Sequence, residues 1–200
     1  MKKRLFIMIF LVMIISMCGC GTEQAFYRTD AGLYAYEGQL YKNDGEILLS
    51  EAELGYAELL QEFPEGVDGA QWYTELYRYG DWLLLGIDDS RSLQGLEGYR
   101  YFLLIPESDR SRAEYEMADG MSAAICYDGA VYQLESDEIS EETLGSMEAV
   151  GMIQGLDEAW PKEDFQTNSP GLLGHLVYEC GGKLLTCRNG EAYEAYVLME

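Results

Sequence analysis

Leu76-Tyr77-Arg78-Tyr79-Gly80-Asp81-Trp82-Leu83-Leu84-Leu85 decides how this chain is read. Two runs rich in Leu, Tyr and Trp flank a two-residue turn signal. Gly-Asp pairs supply the backbone conformations that a tight hairpin needs, and the flanks suit a pleated, half-buried surface. The same punctuation recurs outward from here. Glu37-Gly38 separates Tyr34-Ala35-Tyr36 from Gln39-Leu40-Tyr41, and Asp44-Gly45 precedes Ile47-Leu48-Leu49. Asp128-Gly129, Gly181-Gly182 and Asn189-Gly190 repeat the pattern. Sixteen tyrosines fit the mainly β chain that these hairpins predict.

Four blocks recur in order. Ala35–Tyr41 matches Cys126–Tyr132 at an offset of 91, and Leu54–Glu58 matches Leu144–Glu148 at 90. Leu76–Leu84 matches Val177–Leu185 at 101, and Tyr101–Leu104 matches Tyr196–Met199 at 95. This self-similarity predicts two tandem copies of a small antiparallel β-meander unit. Residues 33–108 form the first and 122–200 the second, with the polar segment 109–121 as linker. Each unit is small for an isolated core, so the copies are expected to pack together. Ser50 to Phe63 is ambiguous. Ser50 and Glu53 form a capping box, and Tyr56, Leu59, Leu60 and Phe63 share a helical face, yet the matching stretch near Val150-Gly151-Met152-Ile153 reads as strand. A helical turn near Ser50–Gly55 followed by a strand is the expectation; a longer helix would make the fold α+β.

The N-terminus carries an address. Lys2, Lys3 and Arg4 precede an apolar run, Leu5–Ile15, of eleven residues. A spanning helix needs about 20, so this is the layout of a secretory signal. Met17-Cys18-Gly19-Cys20 then resembles the lipobox of bacterial lipoproteins. That resemblance implies cleavage after residue 19 and a diacylglyceryl group on Cys20, the better acceptor because a small residue precedes it. Met17 and Cys18 depart from the usual Leu and Ser or Ala. Residues 20–32 would be a polar tether, and the protein would sit on the cell membrane, facing away from the cytoplasm.

Charge narrows the partners. The chain has 36 acidic and 13 basic residues, a net −23. Nucleic-acid binding needs a basic face and is not expected. Anionic envelope surfaces would repel the folded part, so an envelope protein or cationic ligand is the expected partner, besides the bilayer held through acylated Cys20.

Within the second copy, Pro161, Asp164-Phe165-Gln166-Thr167-Asn168 and Leu173-Gly174-His175-Leu176-Val177-Tyr178 follow the Asp128-Gly129 hairpin. Residues 122–200 here resemble a module found in small lipoproteins of Gram-positive bacteria and some membrane-anchored relatives. The resemblance implies an extracytoplasmic home and carries no assigned activity, ligand or catalytic residue. Physically, Thr167-Asn168-Ser169-Pro170-Gly171 reads as a turn-rich loop in which Asn168 bonds its own backbone.

Catalytic signals are sparse. His175 is the sole histidine; no nucleophile elbow accompanies it, and a surface or rim position is expected. Cys126, Cys180 and Cys187 lack any Cys-x-x-Cys pair, so buried free thiols are favoured over a zinc site with His175, while a disulfide through Cys126 stays open. The acidic runs Glu135-Ser136-Asp137-Glu138, Glu141-Glu142 and Asp88-Asp89 lack a calcium-loop pattern. No cofactor is expected. The aromatics Trp72, Tyr73, Tyr77, Tyr79 and Trp82 are core-packing candidates, with Trp72, Tyr73 and Trp82 the possible binding surface. The favoured reading is a non-catalytic, membrane-tethered binding or regulatory module for another envelope protein. A carbohydrate-binding or carbohydrate-modifying surface protein is the alternative.

Overall fold

The computed structural model describes residues 26–63, 73–87, 99–139, 147–187 and 192–199. The fold is mainly β, built as two curled antiparallel sheets of seven and eight strands. The first holds β1 (Tyr27–Arg28), β2 (Tyr34–Tyr36), β3 (Gln39–Leu49), β4 (Glu58–Glu62), β5 (Tyr73–Tyr79), β6 (Trp82–Ile87) and β7 (Tyr99–Pro106). A one-turn helix, α1 (Glu51–Leu54), lies between β3 and β4. The second holds β8 (Ala124–Tyr127), β9 (Ala130–Ile139), β10 (Glu148–Met152), β11 (Gly155–Leu156), β12 (Gln166–Thr167), β13 (Leu176–Cys180), β14 (Lys183–Cys187) and β15 (Tyr193–Leu198).

The sheets share a plan. Inside the edge strand β1 the first runs β2-β3-β7-β6-β5-β4, and inside β11 and β12 the second runs β8-β9-β15-β14-β13-β10. Both opening hairpins turn on residues with positive φ: Glu37 and Gly38 (51° and 79°), then Asp128 and Gly129 (50° and 69°). This is the turn whose twist matches that of paired strands. Both last strands bulge by one residue, Leu60 in β4 and Val150 in β10.

Local chemistry explains the departures from expectation. Ser50 to Phe63 is indeed a helical turn followed by a strand. Ser50 caps α1, its side chain accepting from the Glu53 N–H, and Gly55 ends it. Asp44-Gly45, by contrast, is no hairpin turn. It is a bulge inside the eleven-residue β3, where the register shifts between Asn43 and Glu46. Gly45 takes φ 97° there, and the bulge bends the strand without ending it. The expected tether also shortens. Tyr27 and Arg28 pair with β2, and Phe26 stacks on Tyr34 at 5.5 Å, so the chain joins the sheet from residue 26.

One core lies between the sheets. Trp82, Leu84 and Leu103 from the first meet Val177, Leu184 and Tyr196 from the second, all nearly or fully buried. Each sheet also buries its other face. Tyr34, Leu76, Leu83 and Leu104 fill the first curl; Tyr178, Leu185, Tyr193 and Ala195 pack beyond the second sheet. Strands apolar on both faces explain the unbroken Trp82–Leu85 run, which a half-exposed strand would alternate.

Segment 153–175, inserted between β10 and β13, wedges into this seam. Ile153, Leu172 and Leu173 enter the shared core. Gly174 takes φ 90°, which favours glycine, and a Cβ there would stand 2.9 Å from the Ile47 Cδ1 of the first sheet. Phe165, at φ 61°, lies against Gly151, where any side chain would strike its ring. Asn168 does not bond its own backbone. Its Oδ1 accepts from the Ala124 N–H (2.8 Å) and its Nδ2 donates to the Ser122 carbonyl (3.1 Å), stapling the wedge to β8. Among the described residues no helix is long and apolar enough to cross a membrane.

Candidate functional site

Two features occupy the seam between the units: a sealed polar knot and an open cleft.

The knot centres on Glu53, whose carboxylate is fully buried. Oε2 accepts from the backbone N–H of Ser50 (2.9 Å) and from its hydroxyl (3.1 Å). Oε1 accepts from the Leu176 N–H (3.1 Å) and lies 3.0 Å from His175 Nδ1. A carboxylate can stay buried only when hydrogen bonds replace its lost water, and here four donors do so. His175 is therefore no rim residue. It is 2% exposed and ties the second unit to the first. The order of groups also matters. A relay places histidine between the acid and the nucleophile, whereas here the acid stands between Ser50 and His175. The Tyr79 and Tyr178 hydroxyls are buried without hydrogen-bond partners among the described residues, and burial followed by the nearby Glu53 charge pushes both phenols upward. The knot is a latch.

The cleft is open and holds about 280 Å³. Trp82, Ile105 and Leu173 supply its apolar lining; Asp109, Arg110 and Tyr115 come from the linker; Gln154 and Gln166 come from the wedge. A second hollow, about 460 Å³, adjoins it and is lined by Glu114, Glu116, Asp119, Glu158 and Met117. The two meet where Arg110 Nη2 pairs with Glu158 Oε1 at 2.6 Å.

The linker that walls the cleft is anchored, not loose. Ser111 caps the 3-10 turn Arg112–Glu114. Asp44, its side chain fully buried in the β3 bulge, accepts from the Arg112 N–H (2.9 Å), from Arg112 Nε (2.7 Å) and from the Ser111 hydroxyl. Arg112 Nη2 also donates to the Asp44 carbonyl at 2.8 Å. The bulge thus presents the carboxylate that fixes the cleft wall.

The structure separates the aromatics expected to share a surface. Trp82 is 5% exposed, in the shared core with one edge on the cleft. Tyr73 lines the opposite face of the same sheet and hydrogen-bonds Tyr34 through their hydroxyls at 2.7 Å. Trp72 and the lipidation candidate Cys20 lie outside the described residues, as do Asp88-Asp89 and Glu141-Glu142. Glu135 pairs with Lys183. Among the described residues Cys126 and Cys180 are free thiols and Cys187 is buried, and burial pushes the Cys126 thiol upward. No group of three or more metal-ligating side chains is found among the described residues. Arg110 and Tyr115 escape a reading that treats 109–121 as spacer. The signal available was Arg110 and Arg112 together, two of only thirteen basic residues in an acidic chain.

Comparison with protein-family models, curated proteins and solved structures finds no match to this chain.

Proposed function

We propose that this protein is a membrane-tethered, extracytoplasmic, non-catalytic binding module that takes a cationic segment of another envelope protein. One observation carries the reading: an open cleft with an aromatic edge lies beside a hollow bearing Glu114, Glu116, Asp119 and Glu158, across the Arg110–Glu158 ion pair. An apolar side chain fits beside Trp82 while a neighbouring Lys or Arg lies over the carboxylates. Such charge complementarity sets specificity and on-rate, and it weakens with salt. The net −23 of the whole chain steers the same ligand. Cys20 is the anchor in this reading, supported by the lipobox resemblance.

The two units are read as copies of one sequence unit. Their shared strand order, their two positive-φ hairpin turns and their matching last-strand bulges support this.

The second reading is sugar binding. Trp82 and Tyr115, with Gln154 and Asp109 nearby, are residue types that stack on and hydrogen-bond a sugar ring. The test is titration of the full chain in mild detergent with the blocked peptide acetyl-(Gly-Arg)4-amide and with a panel of neutral oligosaccharides. The proposal expects peptide binding that falls steeply between about 50 and 200 mM salt and is weakened by Glu158→Gln. Saturable sugar binding without salt dependence, and none to the peptide, would replace it with the sugar reading. A Cys20→Ser form is expected to leave the membrane fraction.

A further inference from the structure

Arg110 holds an unusual position for a cation in this acidic chain. Its guanidinium carbon lies 3.9 Å from the ring centroid of Tyr115, it pairs with Glu158 at 2.6 Å, and it donates to the Glu114 carbonyl. The aromatic face, the carboxylate and the carbonyl at the junction of the two hollows are therefore all occupied by the chain's own side chain. Yet Arg110 is 44% exposed, and Glu158 is 58% exposed. Exposed ion pairs and cation–π contacts are individually weak and exchange readily with a competing cation.

Resting on the cationic-segment reading, we propose that Arg110 is a built-in stand-in for the ligand. The partner presents an arginine, whose guanidinium displaces that of Arg110 from Tyr115 and Glu158. The planar stack on Tyr115 selects arginine over lysine, because an ammonium cannot lie flat on a ring while pairing with a carboxylate beside it. Arg110 then acts as a gate. It keeps Tyr115 and Glu158 in place in the empty protein and sets a threshold that weakly cationic segments do not pass.

The test compares wild type with Arg110→Ala and Arg110→Gln. The full chain is titrated with acetyl-(Gly-Arg)4-amide and acetyl-(Gly-Lys)4-amide, and near-UV circular dichroism reports that the variants stay folded. Removing the stand-in is expected to tighten arginine-peptide binding by about 3–10-fold, the scale of the weak contacts released. The lysine peptide is expected to gain less. Lys183→Ala removes one positive charge from a distant hairpin, and its gain is expected to stay under about twofold. Wild-type binding that is unchanged or weakened in both Arg110 variants overturns the stand-in while leaving the cationic reading intact. An equal gain in Lys183→Ala also overturns it, since net charge alone would then account for the effect. No peptide binding by wild type or by either variant overturns the cationic reading itself.

Discussion

The first unit closes its curl on itself, and the second closes its curl on the first. In the first, the Tyr34 and Tyr73 hydroxyls meet at 2.7 Å and Phe26 packs 5.7 Å from Phe63, joining β2 to β5 across the concave face. Counting from the two corresponding hairpin turns, Leu83 pairs with Leu104 as Leu184 pairs with Tyr196. Leu83 and Leu104 line the first curl, whereas Leu184 and Tyr196 lie in the core between the sheets. Leu84 and Leu103 lie in that shared core, whereas their counterparts Leu185 and Ala195 pack beyond it. Two sheets of one plan therefore meet through opposite faces, stacked face to back. The shared scaffold cannot by itself specify such a joint. What specifies it are the parts that differ: α1 with Glu53 in the first unit, and the 153–175 wedge with His175 in the second.

The sharpest way to break this joint is Glu53→Ala. It removes the acceptor for Ser50, Leu176 and His175 at once and leaves buried donors without partners. Truncating one side of such a buried network costs about 3–5 kcal/mol. For a chain of this length that lowers Tm by about 6–20 °C. Denaturant melts followed by tryptophan fluorescence and by far-UV circular dichroism should coincide in wild type and separate in the variant, because the units lose their latch. A loss below about 1 kcal/mol with coincident melts would mean that the apolar core alone holds the units.

A second comparison uses the two β-hairpin tips that correspond. Gly80 and Gly181 share a positive φ, 61° and 60°, although Gly182 after Gly181 is also positive (81°) and Asp81 after Gly80 is not. The surroundings of the two glycines differ. A Cβ on Gly80 would stand 2.6 Å from Met152 Cε and 3.3 Å from Gln154 Nε2, whereas one on Gly181 meets nothing within 4 Å. The first tip rests on the second unit, and the second tip points into solvent. Asparagine tolerates positive φ, so substituting it at each tip probes the docking. Gly181→Asn is expected to change stability by less than about 0.5 kcal/mol, and Gly80→Asn to cost about 1–2 kcal/mol through displaced Met152. Equal costs in chemical denaturation would erase the asymmetry.

Local features of this architecture are legible in the sequence, and distant ones are not. The Glu37-Gly38 and Asp128-Gly129 hairpins declare themselves, because both turn residues carry the required positive φ within two positions. The Ser50-Glu53 capping box is local too. Its second role is invisible, since His175 lies 122 residues away. Asp44-Gly45 reads as a turn because a bulge glycine and a turn glycine look alike until pairing is known. The fourth recurring block shows the same limit. Register places Tyr193, not Tyr196, at the position of Tyr101, an offset of 92 instead of 95. Tyrosine and aliphatic residues alternate so regularly in these strands that similarity alone slips along them, while pairing does not. The cleft is least legible, because Trp82, Tyr115 and Gln154 come from three segments that only the joint brings together.

The smallest effect tests whether opposite faces impose opposite chemistry. Thr186 occupies in β14 the place that Leu85 holds in β6, two residues beyond Leu184 and Leu83 respectively. Both residues are fully buried. Leu85 packs into the first curl, but the Thr186 hydroxyl finds no hydrogen-bond partner among the described residues. A buried hydroxyl without a partner costs about 1–3 kcal/mol of desolvation, and valine keeps the branched shape without the polar atom. Thr186→Val is therefore expected to raise stability by about 0.5–1.5 kcal/mol, read as a higher denaturant midpoint at unchanged slope. Thr186→Leu, which copies the first unit's residue, should not share the gain. The added methylene must fit a seam already filled by the wedge, and overpacking costs about 1–3 kcal/mol. If leucine stabilised as well as valine, the seam would have spare volume at this point, and the two faces would be interchangeable there.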